Sequence, residues 1–287
     1  MNQSIVARLR LNFFLCVLVL FTVDAATTHA DDSIVLPVSM TDNRPMIEAT
    51  INGEGPFHFI VDTGTSDDAV FSERLVKKLA LKPTGESESV DGVTLKAVKV
   101  PQYTVALKCA GFVANEVKAL AIPFDETDGI VGFSLFQKYL LQLDLAEGRI
   151  VLSKGSLAAV NQQTVLSYTD PDGIPLIMAH LGRDEVRFAL DSGQDSGILL
   201  PSAVAARLEF KQPPKVVGKV ASSQTEFEIK AGDISENLRI GSHTLSHPKV
   251  EFADMIREGN LGATIFKQFV VTFDQKNKRV EFVARKL

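Results

Sequence analysis

Two short stretches of this chain place an aspartate on what reads as a tight turn. Asp62-Thr63-Gly64 and Asp191-Ser192-Gly193 lie 129 positions apart, each at the end of an apolar run, Phe57 to Val61 and Val186 to Leu190. A carboxylate at a strand end is held rigidly, and Gly64 and Gly193, lacking a Cβ, let a backbone N–H approach it. Two such carboxylates brought together cannot both ionise cheaply, so one pKa rises and the pair shares a proton. The ionised member can take a proton from a bound water while the protonated member donates one to the reacting group. This chemistry calls for no metal and no cofactor. It does require that two distant segments meet.

The elements that would bring them together are written twice in the sequence. Pro45 to Gly53 resembles Pro175 to Gly182, with Ile47, Ala49 and Ile51 on one face of a strand in the first copy and Ile177, Ala179 and Leu181 in the second. A turn, an apolar strand and the Asp turn follow in each. Short helical stretches are predicted over Ser72 to Ala80 and Pro201 to Leu208, both opening on good helix-start residues. Polar, alternating segments then read as hairpins, one turning at Asp91-Gly92 and the other near Ser222-Ser223. The halves converge again at Gly129-Ile130-Val131-Gly132 and Gly259-Asn260-Leu261-Gly262, followed by matching strands from Leu140 and Val270. Asp62 to Gly132 spans 70 positions and Asp191 to Gly262 spans 71. A register kept over that length marks a duplication. Many short strands with regular turns argue for an all-β architecture. Residues 31–154 read as one lobe, 155–164 as a polar linker and 165–287 as a second lobe, related by an approximate two-fold axis.

The chain has 287 residues, 45% of them hydrophobic and 23% charged, ample for one large core or two. Its formal charge of −5 comes without the basic blocks that bind phosphates, which sets nucleic acid aside. Residues 1–30 read as an export signal. Arg8 and Arg10 precede an apolar stretch from Leu11 to Val23, and Thr28-His29-Ala30 offers a cleavage site after Ala30. The alternative is an uncleaved N-terminal anchor. Export would leave the mature protein periplasmic or secreted. Beyond the leader only Cys109 remains, which excludes an internal disulfide in the mature chain.

Phe59-Ile60-Val61-Asp62-Thr63-Gly64-Thr65-Ser66 resembles the active-site signature of pepsin-like and retroviral-type aspartic proteases. Phe188 to Gly193 resembles its second copy, and Ile130-Val131-Gly132 and Asn260-Leu261-Gly262 resemble the apolar-apolar-Gly element that follows in each lobe. The likeness covers both lobes and is nearer to two retroviral-type lobes in tandem than to pepsin. It implies two β-barrel lobes of the acid protease fold related by a pseudo-two-fold axis, in a monomer acting on peptide or protein substrates. Asp62 and Asp191 would be catalytic, activating a water to attack the scissile carbonyl. Thr63 and Ser192 would bond across the lobe junction, Thr65 would support Asp62, and Gly132 and Gly262 would let a chain segment pass behind each Asp turn. The hairpins at Asp91, Gly92, Ser222 and Ser223 are the candidate flaps over substrate. The second lobe departs from the pattern. The family expects Thr or Ser after the glycine; Gln194 stands there, and Asn260 replaces an apolar residue. Both changes weaken the expectation for Asp191. They leave open a second reading, a catalytically silent protein that holds a peptide or cell-envelope ligand on the same fold, and a third, a structural protein of the envelope.

Other residues read more simply. His243 and His247 have a spacing that binds zinc on a helix, but Gly241, Ser242, Ser246 and Pro248 predict a surface loop there. Asp67 and Asp68 read as a solvated turn, and Cys109 and Tyr103 as strand packing residues.

Overall fold

A strand buried on one face should alternate, and the first long one does. Ile47, Ala49 and Ile51 are each at most 2% exposed, whereas Glu48 between them faces solvent. In the computed structural model, which describes residues 33–90, 97–221, 226–254 and 256–285, strands dominate throughout. The first half contains β1 (Ile34–Pro37), β2 (Ser39–Thr41), β3 (Arg44–Ile51), β4 (Glu54–Asp62), β5 (Ala69–Ser72), α1 (Glu73–Lys78), β6 (Gly85–Val90), β7 (Ala97–Cys109), β8 (Phe112–Ile122), β9 (Gly129–Gly132), β10 (Leu140–Asp144) and β11 (Arg149–Ser153). The second contains β12 (Val165–Ser167), β13 (Leu176–Leu181), β14 (Asp184–Leu190), β15 (Ile198–Pro201), α2 (Ser202–Ala205), β16 (Lys215–Ala221), β17 (Glu226–Asp233), β18 (Leu238–Ile240), β19 (His243–Leu245), β20 (Lys249–Ala253), β21 (Gly259–Leu261), α3 (Ala263–Phe266), β22 (Phe269–Asp274) and β23 (Arg279–Ala284). Residues 1–30, read above as an export signal, and the hairpin tips at Asp91, Gly92, Ser222 and Ser223 lie outside the described residues. The arms leading to both tips are paired, Val90 with Ala97 and Ala221 with Glu226.

Each half builds the same frame around its Asp turn. β4 pairs in parallel with β9, which in turn pairs antiparallel with β5; β14, β21 and β15 repeat the arrangement. Both Asp turns therefore leave a central strand and re-enter the sheet two strands away. The helices after them are shorter than the sequence predicts. Ser72 caps α1 by accepting from the Leu75 N–H at 3.2 Å, but Ala80 takes a left-handed φ of 47° that a helix cannot continue through. His243 also departs from expectation. It begins β19, packs edge-on against Phe269 at 5.1 Å between ring centroids, and its Nε2 lies 2.9 Å from the Phe282 carbonyl. Gly241 and Ser242 form the tight turn of the β18–β19 hairpin, whereas Ser246, His247 and Pro248 lie in the loop between β19 and β20, as expected.

The halves are joined by a sheet to which each contributes three strands, in the order β1-β11-β10-β22-β23-β12. At its centre β10 and β22 run antiparallel, and Gln142 sits opposite Thr272. These two occupy matching positions of the repeat, so the pseudo-two-fold axis passes between them, as it would through a symmetric dimer interface. Gln142 Nε2 donates to Thr272 Oγ1 at 3.3 Å. Beneath this sheet Phe273 is fully buried and touches Phe133, Tyr168 and Phe266, with ring centroids 5.1, 6.4 and 6.4 Å away. Its neighbours come from both halves. Phe273→Ala is expected to cost about 3–5 kcal/mol. Urea unfolding followed by two probes, one in each half, should show both halves lost in one transition at lower denaturant; separate transitions would show that this shared core does not couple them.

Candidate active site

The Asp turns meet where the halves face each other. At the tip of β4 the Thr63 hydroxyl donates to the Leu190 carbonyl at 2.7 Å and accepts from the Ser192 N–H at 3.0 Å. Ser192 returns the arrangement: its hydroxyl donates to the Val61 carbonyl at 2.7 Å and accepts from the Thr63 N–H at 3.0 Å. Both residues are fully buried. Four hydrogen bonds thus cross between the halves within two residues, and every polar group on those two side chains is used. Buried hydroxyls are stable only when satisfied in this way.

That clasp sets the two carboxyl groups against each other. A Cβ placed on Gly64 would lie 2.5 Å from Asp191 Cγ, and one on Gly193 would lie 2.4 Å from Asp62 Cγ. Each glycine therefore makes room for the carboxylate of the opposite turn. Its N–H also serves the carboxylate of its own turn: Gly64 donates to Asp62 Oδ1 at 2.7 Å and Gly193 to Asp191 Oδ1 at 2.9 Å. Asp62 and Asp191 lie within hydrogen-bonding reach of one another. Burial raises the Asp62 pKa well above the usual carboxylate range, and the Asp191 charge raises it further; the Thr65 and Gly64 hydrogen bonds pull the other way without prevailing.

Behind each turn the glycine of β9 or of the β21–α3 junction lets the chain close in. A Cβ on Gly132 would fall 2.0 Å from the Asp67 carbonyl and one on Gly262 2.5 Å from the Ser196 carbonyl. The Phe133 N–H donates to the Thr65 carbonyl and the Ala263 N–H to the Gln194 carbonyl, both at 2.8 Å. Backbone support is the same on the two sides.

Two copies of one family model cover residues 47–135 and 177–265, described as aspartyl protease. The chain belongs to the aspartyl protease family. The matched segments each contain an Asp turn and its following glycine element, so this member of the family carries both copies of the domain on one polypeptide. No curated protein matches the chain.

Side chains around the pair differ between the halves. Thr65 Oγ1 donates to Asp62 Oδ2 at 2.8 Å. Gln194, at the matching position, turns away and donates from Nε2 to Ser196 Oγ at 2.6 Å. Its backbone N–H donates to Asp191 Oδ1 at 3.0 Å, and Asp191 Oδ2 accepts from Asn260 Nδ2 at 2.8 Å. Asn260, which the sequence marks as a departure from the apolar pattern, therefore touches the carboxylate. Asp68 is half-buried and also structural: it accepts from Ser134 Oγ at 2.8 Å and from the Lys118 N–H at 3.2 Å, tying the turn to β8 and to the segment after β9. Asp67 is half-buried, and burial followed by the charge of Asp68 raises its pKa. Cys109 is buried and its thiol is pushed up to about 11, so it is held as an unreactive packing group. Among the described residues no group of His, Cys, Asp and Glu is arranged to hold a metal.

Two expectations follow. Thr63→Val keeps the shape but leaves the Leu190 carbonyl and Ser192 N–H without partners, at a cost of roughly 2–4 kcal/mol by chemical unfolding; an unchanged midpoint would mean the clasp contributes no stability. A carboxyl whose folded pKa is raised adds stability below its unfolded pKa, and that contribution is lost as pH rises through the folded value. Asp62→Asn should accordingly raise the Tm at neutral pH, and the gain should vanish below about pH 4. A gain that persists in acid would assign it to something other than ionisation.

Proposed function

We propose that this protein is an aspartic endopeptidase in which Asp62 and Asp191 together activate a water. The observation that carries this reading is the contact between the two carboxyl groups, each held by the glycine N–H of its own turn and each facing the glycine of the other. Like charges so close favour a state with one proton between them, and a singly protonated pair supplies both partners that hydrolysis of an amide needs. The ionised carboxylate accepts a proton from water as the water attacks the scissile carbonyl. The protonated one donates to the carbonyl oxygen. As the tetrahedral intermediate collapses, the carboxyl that took the water's proton passes it to the leaving amine, and a hydroxyl of the gem-diol gives its proton to the other carboxylate, so the pair again holds one. The rigid clasp of Thr63 and Ser192 fits this role, because acid and base must keep a fixed separation through the reaction.

The substrates in this reading are peptides or proteins in extended form, reached after export of the chain beyond the cytoplasm. Gln194 supports hydrolysis over mere ligand holding in one respect: its side chain bonds Ser196 and does not come between the carboxylates. Asp62→Asn and Asp191→Asn are each expected to lower cleavage of a diverse peptide mixture by roughly 10²–10⁴-fold while leaving the fold intact by circular dichroism. Wild-type protein that cleaves nothing above the Asp62→Asn control, across acidic to neutral pH, would refute the enzymatic reading.

A further inference from the structure

The two carboxylates are held by different chemistry, although the chain closes in behind both turns in the same way. Asp62 accepts one backbone N–H, from Gly64, and one hydroxyl, from Thr65. Asp191 accepts the N–H groups of Gly193 and Gln194 on Oδ1 and the Asn260 amide on Oδ2. The donor to the outer oxygen has thus moved between elements. In the first half it stands on the Asp turn itself; in the second it stands on β21, at the position matching Ile130, while the turn residue Gln194 is committed to Ser196. Gln194 and Asn260 are two halves of one exchange. The first removes a hydroxyl and the second supplies an amide at 2.8 Å from the oxygen left bare.

The exchange has a chemical consequence. A hydroxyl donates to a carboxylate but can equally rotate and accept from a carboxylic acid. Thr65 can therefore serve Asp62 in either protonation state. An amide nitrogen and two backbone N–H groups can only donate. All three hydrogen bonds on Asp191 suit the anion, and a proton on its Oδ2 would confront the Asn260 amide hydrogens. The other carboxylates nearby do not alter this balance. Asp191 is the charge that acts on Asp62; Asp67 answers to burial and to Asp68, and Asp195, beside Gln194, is exposed.

We infer that Asn260 is a positioning residue that holds Asp191 as the anion, placing the shared proton of the resting pair on Asp62. Taken with the proposed hydrolysis, on which the naming of roles rests, Asp191 takes the proton from water and Asp62 gives one to the scissile carbonyl oxygen. The high pKa of Asp62 agrees with this order.

Two measurements test it. In wild-type protein labelled with ¹³C at the aspartate carboxyls, and assigned through Asp62→Asn and Asp191→Asn, the Asp62 signal should report the higher of the pair's two apparent pKa values; an Asp62 signal that titrates first overturns the inference. This needs no turnover, so it decides the matter even if the chain cleaves no peptide. The second is the pH dependence of kcat/KM. Asn260→Ile, the residue of the first half, should move the acid limb up by about one pH unit, because a hydrogen bond to the charged form is lost. Asn260→Ile with Gln194→Thr puts back a hydroxyl, which serves either protonation state, and should bring the limb back only in part; full return would show that any donor suffices and overturn the role given to the amide. An unmoved limb would show that Asn260 only packs. A downward shift would show that its carbonyl, not its nitrogen, faces a protonated Asp191.

Discussion

Everything at the centre of this protein depends on holding two like charges together. Water would separate Asp62 and Asp191, and burial alone would simply neutralise both. What prevents either outcome is the reciprocal bonding of Thr63 and Ser192, each giving a hydrogen to the carbonyl before the other's aspartate and taking one from the other's amide. Because donors and acceptors are matched within a fully buried pair, the clasp can be opened only by stranding polar groups away from water. The remaining strands build two rigid supports that deliver these turns to the same point.

The shared sheet performs the same task at the other end of the molecule. Gln142 and Thr272 face one another across the pseudo-two-fold axis, with Phe273 packed beneath among rings from both halves. The halves are thus tied above by a buried polar exchange and below by strand pairing and an aromatic core. Such a frame resists the small displacement that would uncouple a carboxylate pair. It also explains why glycine stands at 64 and 193: with each turn pressed against the opposite carboxyl, no side chain fits.

Duplication did not keep the halves equal. The backbone frame stayed the same while the donor at Asp191 passed from the turn to the neighbouring strand. A symmetric pair of carboxylates has no reason to put its proton on one side. Unequal donors supply that reason, and a fused chain, unlike a symmetric dimer of identical lobes, can carry unequal donors.

Much of this was legible along the chain. The repeat and the strand periodicity determine the all-β, duplicated fold by themselves, because they are local patterns whose periods match a strand and a tight turn; the family follows from the resemblance of the two Asp-turn motifs. Asn260 shows where such reading ends. Compared with Ile130 it is only a polar residue in an apolar place, and beside Gln194 it looks like a second loss. The two positions are 66 apart in the chain, and only parallel pairing of β14 with β21 sets the amide against Asp191. The residue types were visible in the sequence; which side chain reached the carboxylate was decided by strand pairing that brings distant residues within a hydrogen bond's length.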